Sequence, residues 1–188
     1  GTDKEQQKTA FYILSNYLKR QDPRNRIFVL HRLDRETSGL MMFAKSQEVQ
    51  ERMQRGWKSL VADRRYVAVT EGAPRDNEGT IVSHLKEDRN HKMWAIRESD
   101  GPAAVTYYSV LKAGGDYSLL DLKLETGQKN QIRAHLEWIG TPIAGDKKYN
   151  ARTNPAGRVC LHAYRLFINH PVTGEQLDFS TRIPRDFE

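Results

Sequence analysis

The chain has 188 residues, 38% of them hydrophobic, which fits one globular domain with its own core. Thirty Lys and Arg residues against 24 Asp and Glu residues give a formal net charge of +6, which favours a polyanionic partner. The only cysteine, Cys160, excludes an internal disulfide framework and a thiolate zinc cluster. No apolar run approaches the roughly 18 residues that span a bilayer, so we expect a cytoplasmic protein without a membrane partner.

The first predicted element is an amphipathic helix over residues 9–20, with Thr9 as its N-cap. Two short apolar runs, at residues 27–30 and 40–44, predict strands on either side of a loop. Ser46 then predicts the start of a second helix, whose apolar stripe is expected to pack into the core.

The middle of the chain has the pattern of β-structure. Short β-branched or aromatic segments, separated by Gly, Asp and Asn, begin at Arg64 and continue to residue 125. A third helix is predicted over residues 130–139, ended by Gly140, and a last strand pair surrounds the turn at residues 170–175. This order predicts an α+β fold with a mixed, mostly antiparallel sheet and flanking helices.

The loop sequence HRLDRETSGL places Asp34 between Arg32 and Arg35. Beside two cations this carboxyl group is expected to be ionised at neutral pH, and an ionised carboxylate can attack electrophilic carbon. The same pattern allows Asp34 to cap a turn by accepting hydrogen bonds from the amides of Glu36 or Thr37. The residues alone leave both interpretations open.

Three other kinds of chemistry are disfavoured. HRLD is similar to a kinase catalytic loop, but no Gly-rich phosphate loop or Asp-Phe-Gly motif accompanies it. Asp34 and Glu36 lie two residues apart on one loop and are a poor source of a glycosidase pair, whose carboxyl groups usually stand about 5–9 Å apart. The six histidines have no metal-ligand spacing, so we expect no metal.

Basic and aromatic residues favour RNA as the polyanion. Tyr66 and Tyr149 are candidates for stacking on unpaired bases, although Tyr66, in an alternating strand, fits a core position equally well. Cations cluster near Asp34 and near the Thr126–Gly127 segment, as the neutralisation of phosphates requires. They are Arg32, Arg35, Arg64, Arg65, Lys129, Arg133, Lys147 and Lys148.

Four segments, in this order, resemble the RluA-type pseudouridine synthases. HRLDRETSGLMMFAKS resembles the catalytic loop and the next strand, and RRYVAVTEG resembles the tyrosine strand. ETGQKNQIRAHLEWIGTPIAGDKKY resembles the helix that follows a Thr-Gly pair, and LHAYRLFINHPVTGE resembles the closing strands. The resemblance runs from about Arg26 to Arg185. It implies the pseudouridine synthase catalytic fold and an RNA isomerase that acts on ribosomal or transfer RNA without a cofactor, and we expect a monomer.

The resemblance also implies roles for single residues. Asp34 is expected to be the catalytic aspartate, Tyr66 the tyrosine beside the target base, and Arg133 the arginine that pairs with Asp34. On physical grounds we expect Arg133 to hold Asp34 by a bidentate bond. In the implied reaction Asp34 acts at C1′ of the sugar, at C6 of the base, or as the base that removes a sugar proton, on a uridine flipped out of its stack. The expected RNA-binding residues are Arg32, Arg35, Thr37, Gln128, Lys129, Asn130 and Gln131.

The chain departs from the family pattern at several positions. Gln128 stands where the family commonly has arginine, and Asn130 or Thr141 where it commonly has histidine. The family's first strand is missing before the first helix, so we expect residues 1–188 to be a single catalytic domain that lacks this strand and any upstream RNA-binding domain. A catalytically silent RNA-binding module of the same fold stays open as an alternative, and a carboxylate-dependent nucleoside or glycoside hydrolase is a second.

Overall fold

The computed structural model describes residues 3–188, and within the one expected domain its contacts define two compact units. Unit 1 consists of Gly1–Leu33, Met41–Ala62 and Ile168–Leu177. Unit 2 consists of Asp34–Leu40, Asp63–Phe167 and Asp178–Glu188. None of the helices formed by residues 3–188 combines the length and the apolar character that crossing a bilayer requires.

The described residues form five α-helices and ten strands. The helices are α1 (Asp3–Gln6), α2 (Ala10–Gln21), α3 (Gln47–Arg55), α4 (Trp57–Leu60) and α5 (Gln131–Trp138). The strands are β1 (Phe28–Val29), β2 (Ser38–Gly39), β3 (Phe43–Ala44), β4 (Val61–Glu71), β5 (Glu78–Glu87), β6 (Met93–Ile96), β7 (Ala104–Ala113), β8 (Tyr117–Leu124), β9 (Leu161–Asn169) and β10 (Gln176–Ser180). Short 3-10 helices cover Lys147–Tyr149 and Arg185–Phe187.

The helices of unit 1 begin where their capping residues predict. Thr9 accepts a hydrogen bond from the Tyr12 amide at 3.2 Å to start α2, and Ser46 accepts one from the Val49 amide at 3.2 Å to start α3. The second predicted helix is divided into α3 and α4 at Gly56, a residue that weakens a helix interior. The strands predicted on either side of the Asp34 loop are β1 and β3, which pair antiparallel with each other.

The main sheet has the strand order β10-β9-β4-β8-β7-β5-β6, and β2 pairs with β9 outside this path. The pairs β4–β8, β7–β8, β5–β7 and β5–β6 are antiparallel, whereas β2 and β9 run parallel. The predicted α+β fold with a mixed, mostly antiparallel sheet is therefore confirmed.

The core of unit 2 places α5 on this sheet. Ile132 and Leu136, which the sequence predicts to face inward, are buried together with Val67 of β4 and Leu120 and Leu122 of β8. Burying aliphatic side chains of this size stabilises the fold by about 1.5–3 kcal/mol each. The start of α5, where the candidate site lies, is thus held by a packed core.

Candidate active site

The loop that carries Asp34, residues 34–40, is fixed by backbone contacts within unit 2. The Thr37 amide donates to the Asp34 carbonyl at 2.9 Å and closes a turn, so the backbone of Asp34, and not its carboxylate, closes it. Past the turn, β2 pairs with β9, and the Leu40 amide donates to the Ala163 carbonyl at 2.9 Å. The loop is therefore anchored on the main sheet.

Gly39 and Ser38 hold the end of this loop against β9 and its neighbours. Gly39 has a φ of +123°, and a Cβ atom there would lie only 2.1 Å from the carbonyl oxygen of Ala163, so only glycine fits. Ser38 Oγ lies 2.7 Å from His162 Nδ1 and accepts a hydrogen bond from Arg158 at 2.6 Å. These contacts set the path of the chain after Asp34.

Asn130 makes the shortest contacts to the Asp34 carboxylate. An amide oxygen facing an ionised carboxylate would be repelled, so the hydrogen-bond partners assign the amide nitrogen to that side. It then donates to Oδ2 at 2.7 Å and to Oδ1 at 2.9 Å, while the amide oxygen accepts from the Tyr149 hydroxyl at 3.1 Å. Asn130 is buried and has left-handed backbone angles, φ 51° and ψ 24°.

Arg133 lies beside Asp34, but its bidentate partner is Asp146. Arg133 Nε and Nη2 donate to the two carboxylate oxygens of Asp146 at 2.7 and 2.8 Å. The remaining nitrogen, Nη1, donates to Glu36 at 3.1 Å and lies 4.0 Å from Asp34 Oδ2. The predicted bidentate bond between Arg133 and Asp34 is therefore wrong, because Asp146 already occupies that edge of the guanidinium group. The two residues form a longer ion pair instead.

Sequence reasoning missed Asp146, although the segment GDKKY contains it. Asp146 is 1% exposed, and its place depends on Gly145, where a Cβ atom would lie 2.0 Å from the Arg158 carbonyl oxygen. A buried arginine needs a carboxylate partner, since an unpaired buried charge is costly. Such a requirement points to an aspartate but does not say which one.

Burial raises the pKa of Asp34 above its ordinary value. The positive charge of Arg133 opposes this shift, and the negative charges of Glu36 and Asp146 add to it, while Lys129 opposes it. For Arg133, burial lowers the pKa, but the hydrogen bonds and charge of Asp146 outweigh it and the pKa is raised. Three carboxylates thus adjoin one guanidinium group that stays charged.

Tyr66 lies on β4, half-buried against the core of unit 2. Burial raises its pKa, Arg64 opposes the shift, and the charge of Asp34 raises the pKa further. The hydroxyl of Tyr66 is consequently protonated at neutral pH. Its interaction with Asp34 places it within electrostatic range of the carboxylate.

The predicted RNA-binding residues occupy different environments. Arg35 and Lys129 are exposed in unit 2, Thr37 is half-buried, and Arg32 is exposed in unit 1. Gln128, half-buried, donates to the Pro102 carbonyl at 3.1 Å. Arg35 and Lys129 therefore lie at the surface, and the ammonium group of Lys129 donates a hydrogen bond to the carboxylate of Glu87.

Gln131 and Tyr149 lie inside the protein. Gln131, the first residue of α5, is 2% exposed; its amide oxygen accepts from Thr126 at 2.8 Å and its amide nitrogen donates to Thr106 at 2.9 Å. This side chain is therefore inaccessible to RNA, and its predicted contact with RNA is wrong. Tyr149 is fully buried, and the Cζ atom of Arg133 lies 4.9 Å from the centre of its ring. The prediction that Tyr149 stacks on a base is therefore wrong.

The structure bears on the expectation that the protein holds no metal. Among the side chains of residues 5–188, no group of three or more His, Cys, Asp or Glu residues is arranged to hold a metal ion. The groups that the site offers for chemistry are carboxylates, an amide, a guanidinium group and a phenol.

The chain belongs to the RNA pseudouridylate synthase family, whose model matches residues 2–138. It is 37% identical over 159 residues to the uncharacterized RNA pseudouridine synthase YlyB of Bacillus subtilis (strain 168), covering 84% of this chain and 52% of that protein. It is 36% identical over 172 residues to the ribosomal large subunit pseudouridine synthase D of Neisseria meningitidis serogroup B (strain ATCC BAA-335 / MC58), covering 84% and 46%. The resemblance to the RluA-type enzymes is confirmed.

Solved structures give the same family. The human RNA pseudouridylate synthase domain containing 4 matches with a TM-score of 0.76 and 27% identity, over 93% of this chain and 78% of that one. The human RNA pseudouridylate synthase domain containing 1 matches with a TM-score of 0.72 and 27% identity, over 90% and 73%. The chain spans about half the length of the curated relatives it matches.

Proposed function

We propose that this chain forms the catalytic part of an RNA pseudouridine synthase that isomerises uridines of ribosomal or transfer RNA in the cytoplasm. One observation carries the proposal: a partly exposed carboxylate, Asp34, is held between Asn130 and Arg133 in a member of this family. Tyr149 and Asp146 in turn fix these two neighbours. A carboxylate supported in this way is suited to attack or deprotonate a nucleoside.

The proposed reaction is an isomerisation. The N1–C1′ bond of uridine breaks, the uracil rotates, C5 bonds to C1′, and the proton on C5 is lost while N1 gains one. No electrons are exchanged and no group leaves the product, so the balance requires no cofactor. Asp34 acts at C1′, at C6, or as the base that removes a sugar proton.

The other residues of the site are assigned supporting roles. Arg133 keeps a positive charge beside Asp34, and this favours the ionised carboxylate that all three routes start from. Tyr66, with its protonated hydroxyl, is assigned to pack on the uracil and to donate a hydrogen bond to it. Because a stacked base is inaccessible, the target uridine is flipped out to reach Asp34.

Phosphate contacts are assigned to exposed cations of unit 2. Arg35 lies next to Asp34 in sequence, and Lys129 contributes to the electrostatics of its carboxylate. Ribosomal RNA is supported by relatives named ribosomal large subunit pseudouridine synthases C and D. Each phosphate contact that is lost is expected to reduce the slope of log K for RNA binding against log salt concentration by about one.

The test is tritium release from RNA labelled at C5 of uridine, with ribosomal and transfer RNA from cells that lack the protein. The native protein containing this chain is compared with its Asp34→Ala variant. Release that depends on Asp34 supports the proposal. RNA binding without release would identify the silent binding module, and free uracil among the products would identify a hydrolase.

A second measurement separates the three roles of Asp34. Uridine carrying deuterium at C2′ gives a primary isotope effect on turnover only where removal of that sugar proton limits the rate. Attack at C1′ or C6 leaves the C2′–H bond intact and gives no such effect. The two routes then differ in the covalent adduct, because attack at C1′ bonds Asp34 to the sugar and attack at C6 bonds it to the base.

A further inference from the structure

We propose that Asn130 is a positioning residue whose amide, oriented by the Tyr149 hydroxyl, holds both carboxylate oxygens of Asp34 in the geometry that meets the substrate. This inference rests on the proposed function. It gives Asn130 a place behind Asp34, whereas the sequence predicts a contact with RNA.

The first support is the division of contacts around Asp34. Arg133 uses two nitrogens on Asp146 and donates to Glu36 with the third, which leaves it 4.0 Å from Asp34. Asn130 makes two contacts to Asp34, at 2.7 and 2.9 Å. A direction is imposed by hydrogen bonds of this length and only weakly by a charge 4.0 Å away, so Asn130 determines the orientation of the carboxylate.

The second support is that Tyr149 fixes which end of the amide faces Asp34. The Met93 amide donates to the Tyr149 hydroxyl at 3.1 Å, so the single hydroxyl proton is available for another acceptor. That acceptor is the Asn130 oxygen, also at 3.1 Å. With its oxygen held by Tyr149, the amide presents its nitrogen to Asp34.

The third support is the backbone of Asn130. Its left-handed angles cost a residue with a side chain about 1 kcal/mol or more, and glycine would avoid this cost. The Asn130 carbonyl accepts from the Ala134 amide at 3.0 Å, which ties this conformation to the first turn of α5. Asparagine is one of the few residues with a side chain that tolerate these angles, so Asn130 combines the required backbone with an amide that contacts Asp34.

The amide also acts on the charge of Asp34. Hydrogen bonds donated to a carboxylate favour its ionised form, in opposition to burial, which raises the pKa of Asp34. Loss of the Asn130 amide is therefore expected to raise this pKa further. Activity that needs an ionised Asp34 would then fall at a higher pH than in the wild type.

The test is Asn130→Gly in the full-length protein, with Asn150→Gly as a matched control. Both asparagines have left-handed backbones, and Asn150 donates its amide to Glu137 instead of Asp34. Asn130→Gly is expected to lower kcat about 10- to 100-fold, to leave the KM for RNA within about twofold, and to shift the acid limb of the pH profile upward. Asn150→Gly is expected to keep the wild-type kcat and pH profile.

A readout independent of turnover is the pKa of Asp34 itself, followed by carboxyl ¹³C chemical shifts. We expect Asn130→Gly to raise it, and Tyr149→Phe, which keeps the ring over Arg133, to raise it less. Unchanged kcat and acid limb, or a raised RNA KM with normal kcat, would overturn the inference. If the wild type has no isomerase activity, the proposed function fails, and the ¹³C titration still decides whether Asn130 controls Asp34.

Discussion

Arg133 and Asp146 are joined by two hydrogen bonds of 2.7 and 2.8 Å between side chains that are 3% and 1% exposed. This buried pair fixes the plane of the guanidinium group. As a consequence, the third nitrogen points to the edge where Glu36 and Asp34 lie. Asp146 thus affects the site indirectly, because it orients Arg133, which lies beside Asp34.

Asp146→Asn is expected to destabilise the protein by about 3–5 kcal/mol, because it leaves the buried Arg133 without its charged partner. The substitution is nearly isosteric, so loss of packing contributes little. Urea unfolding of the variant and the wild type measures the difference. We expect kcat to fall as well, since the guanidinium group loses its fixed plane.

The control for this substitution is Asp178→Asn. Arg165 binds Asp178 by the same bidentate arrangement, with bonds of 3.0 and 2.8 Å, but both side chains are substantially exposed. Exposed pairs contribute about 0–1 kcal/mol. Equal losses of stability in the two variants would contradict the special importance of the buried pair.

Asp34→Asn is expected to make the protein more stable and to remove its activity. Burial raises the pKa of Asp34, so its ionised form is held at a cost to folding, and the neutral amide avoids that cost. The carbonyl oxygen of the new side-chain amide can still accept a hydrogen bond from the Asn130 amide nitrogen. Turnover is expected to fall on the order of 10⁴-fold, as for other enzymes that lose an essential carboxylate.

The gain in stability has a defined pH dependence. Because the pKa of Asp34 is raised in the folded state, stability is lost as pH rises from the ordinary aspartate range through that raised pKa. The advantage of Asp34→Asn is therefore expected at neutral pH and is expected to vanish below about pH 4. Asp100→Asn, at an exposed position, serves as the control, and a constant advantage at all pH values would refute the explanation.

Tyr66→Phe is expected to lower kcat about 10- to 100-fold while leaving the KM for RNA nearly unchanged. In the role proposed for Tyr66, the Phe variant keeps the ring that packs on the uracil and loses one hydrogen bond to the uracil, about 1.5–3 kcal/mol if the uracil carries charge in the transition state. Tyr66→Ala removes the ring too, and should raise KM as well, since stacking contributes about 1–3 kcal/mol per base. A Phe variant with full turnover would restrict Tyr66 to stacking.

The features that sequence predicts well are those that depend on neighbours in the chain. Thr9 and Ser46 mark helix starts, and short segments bounded by Gly, Asp and Asn mark strands such as β8, because caps and turns are set within a few residues. The Arg133–Asp146 pair depends instead on how α5 and the segment before the 3-10 helix pack. The sequence names the arginine but does not distinguish Asp34 from Asp146 as its bidentate partner.

Burial of polar side chains is a second feature that the sequence does not reveal. Tyr149 is an aromatic residue of the kind that stacks on bases, yet it lies inside the protein, where its hydroxyl makes hydrogen bonds with Met93 and Asn130. The two compact units likewise arise from contacts between segments distant in sequence. Local patterns carry no signal for either.

Gly39→Ala is expected to displace the Asp34 loop and to lower kcat at least about tenfold. A Cβ atom would meet the Ala163 carbonyl oxygen at 2.1 Å, so either the β2–β9 pairing or the turn at Asp34 must shift. Gly157→Ala is the control, because Gly157 also has a positive φ, +68°, but a Cβ atom there meets nothing within 4 Å. Equal activities of both variants would show that only backbone strain matters.

His135 is expected to make the protein sensitive to acid. It is fully buried between Thr106 and Ser83, whose hydroxyls lie 2.8 and 2.9 Å from its ring nitrogens, and burial lowers its pKa to about 4. As pH falls from 6.5, His135 becomes protonated in the unfolded chain but stays neutral in the folded protein. The folded state therefore loses stability until the pH reaches about 4, where His135 is protonated in both states. The shift corresponds to about 3 kcal/mol. The free energy of unfolding of His135→Gln, measured in urea, should lack this part of the pH dependence. His91→Gln, a substitution at an exposed position, should keep it. If the free energy of unfolding varies with pH in parallel for His135→Gln and the wild type, His135 does not titrate in this range.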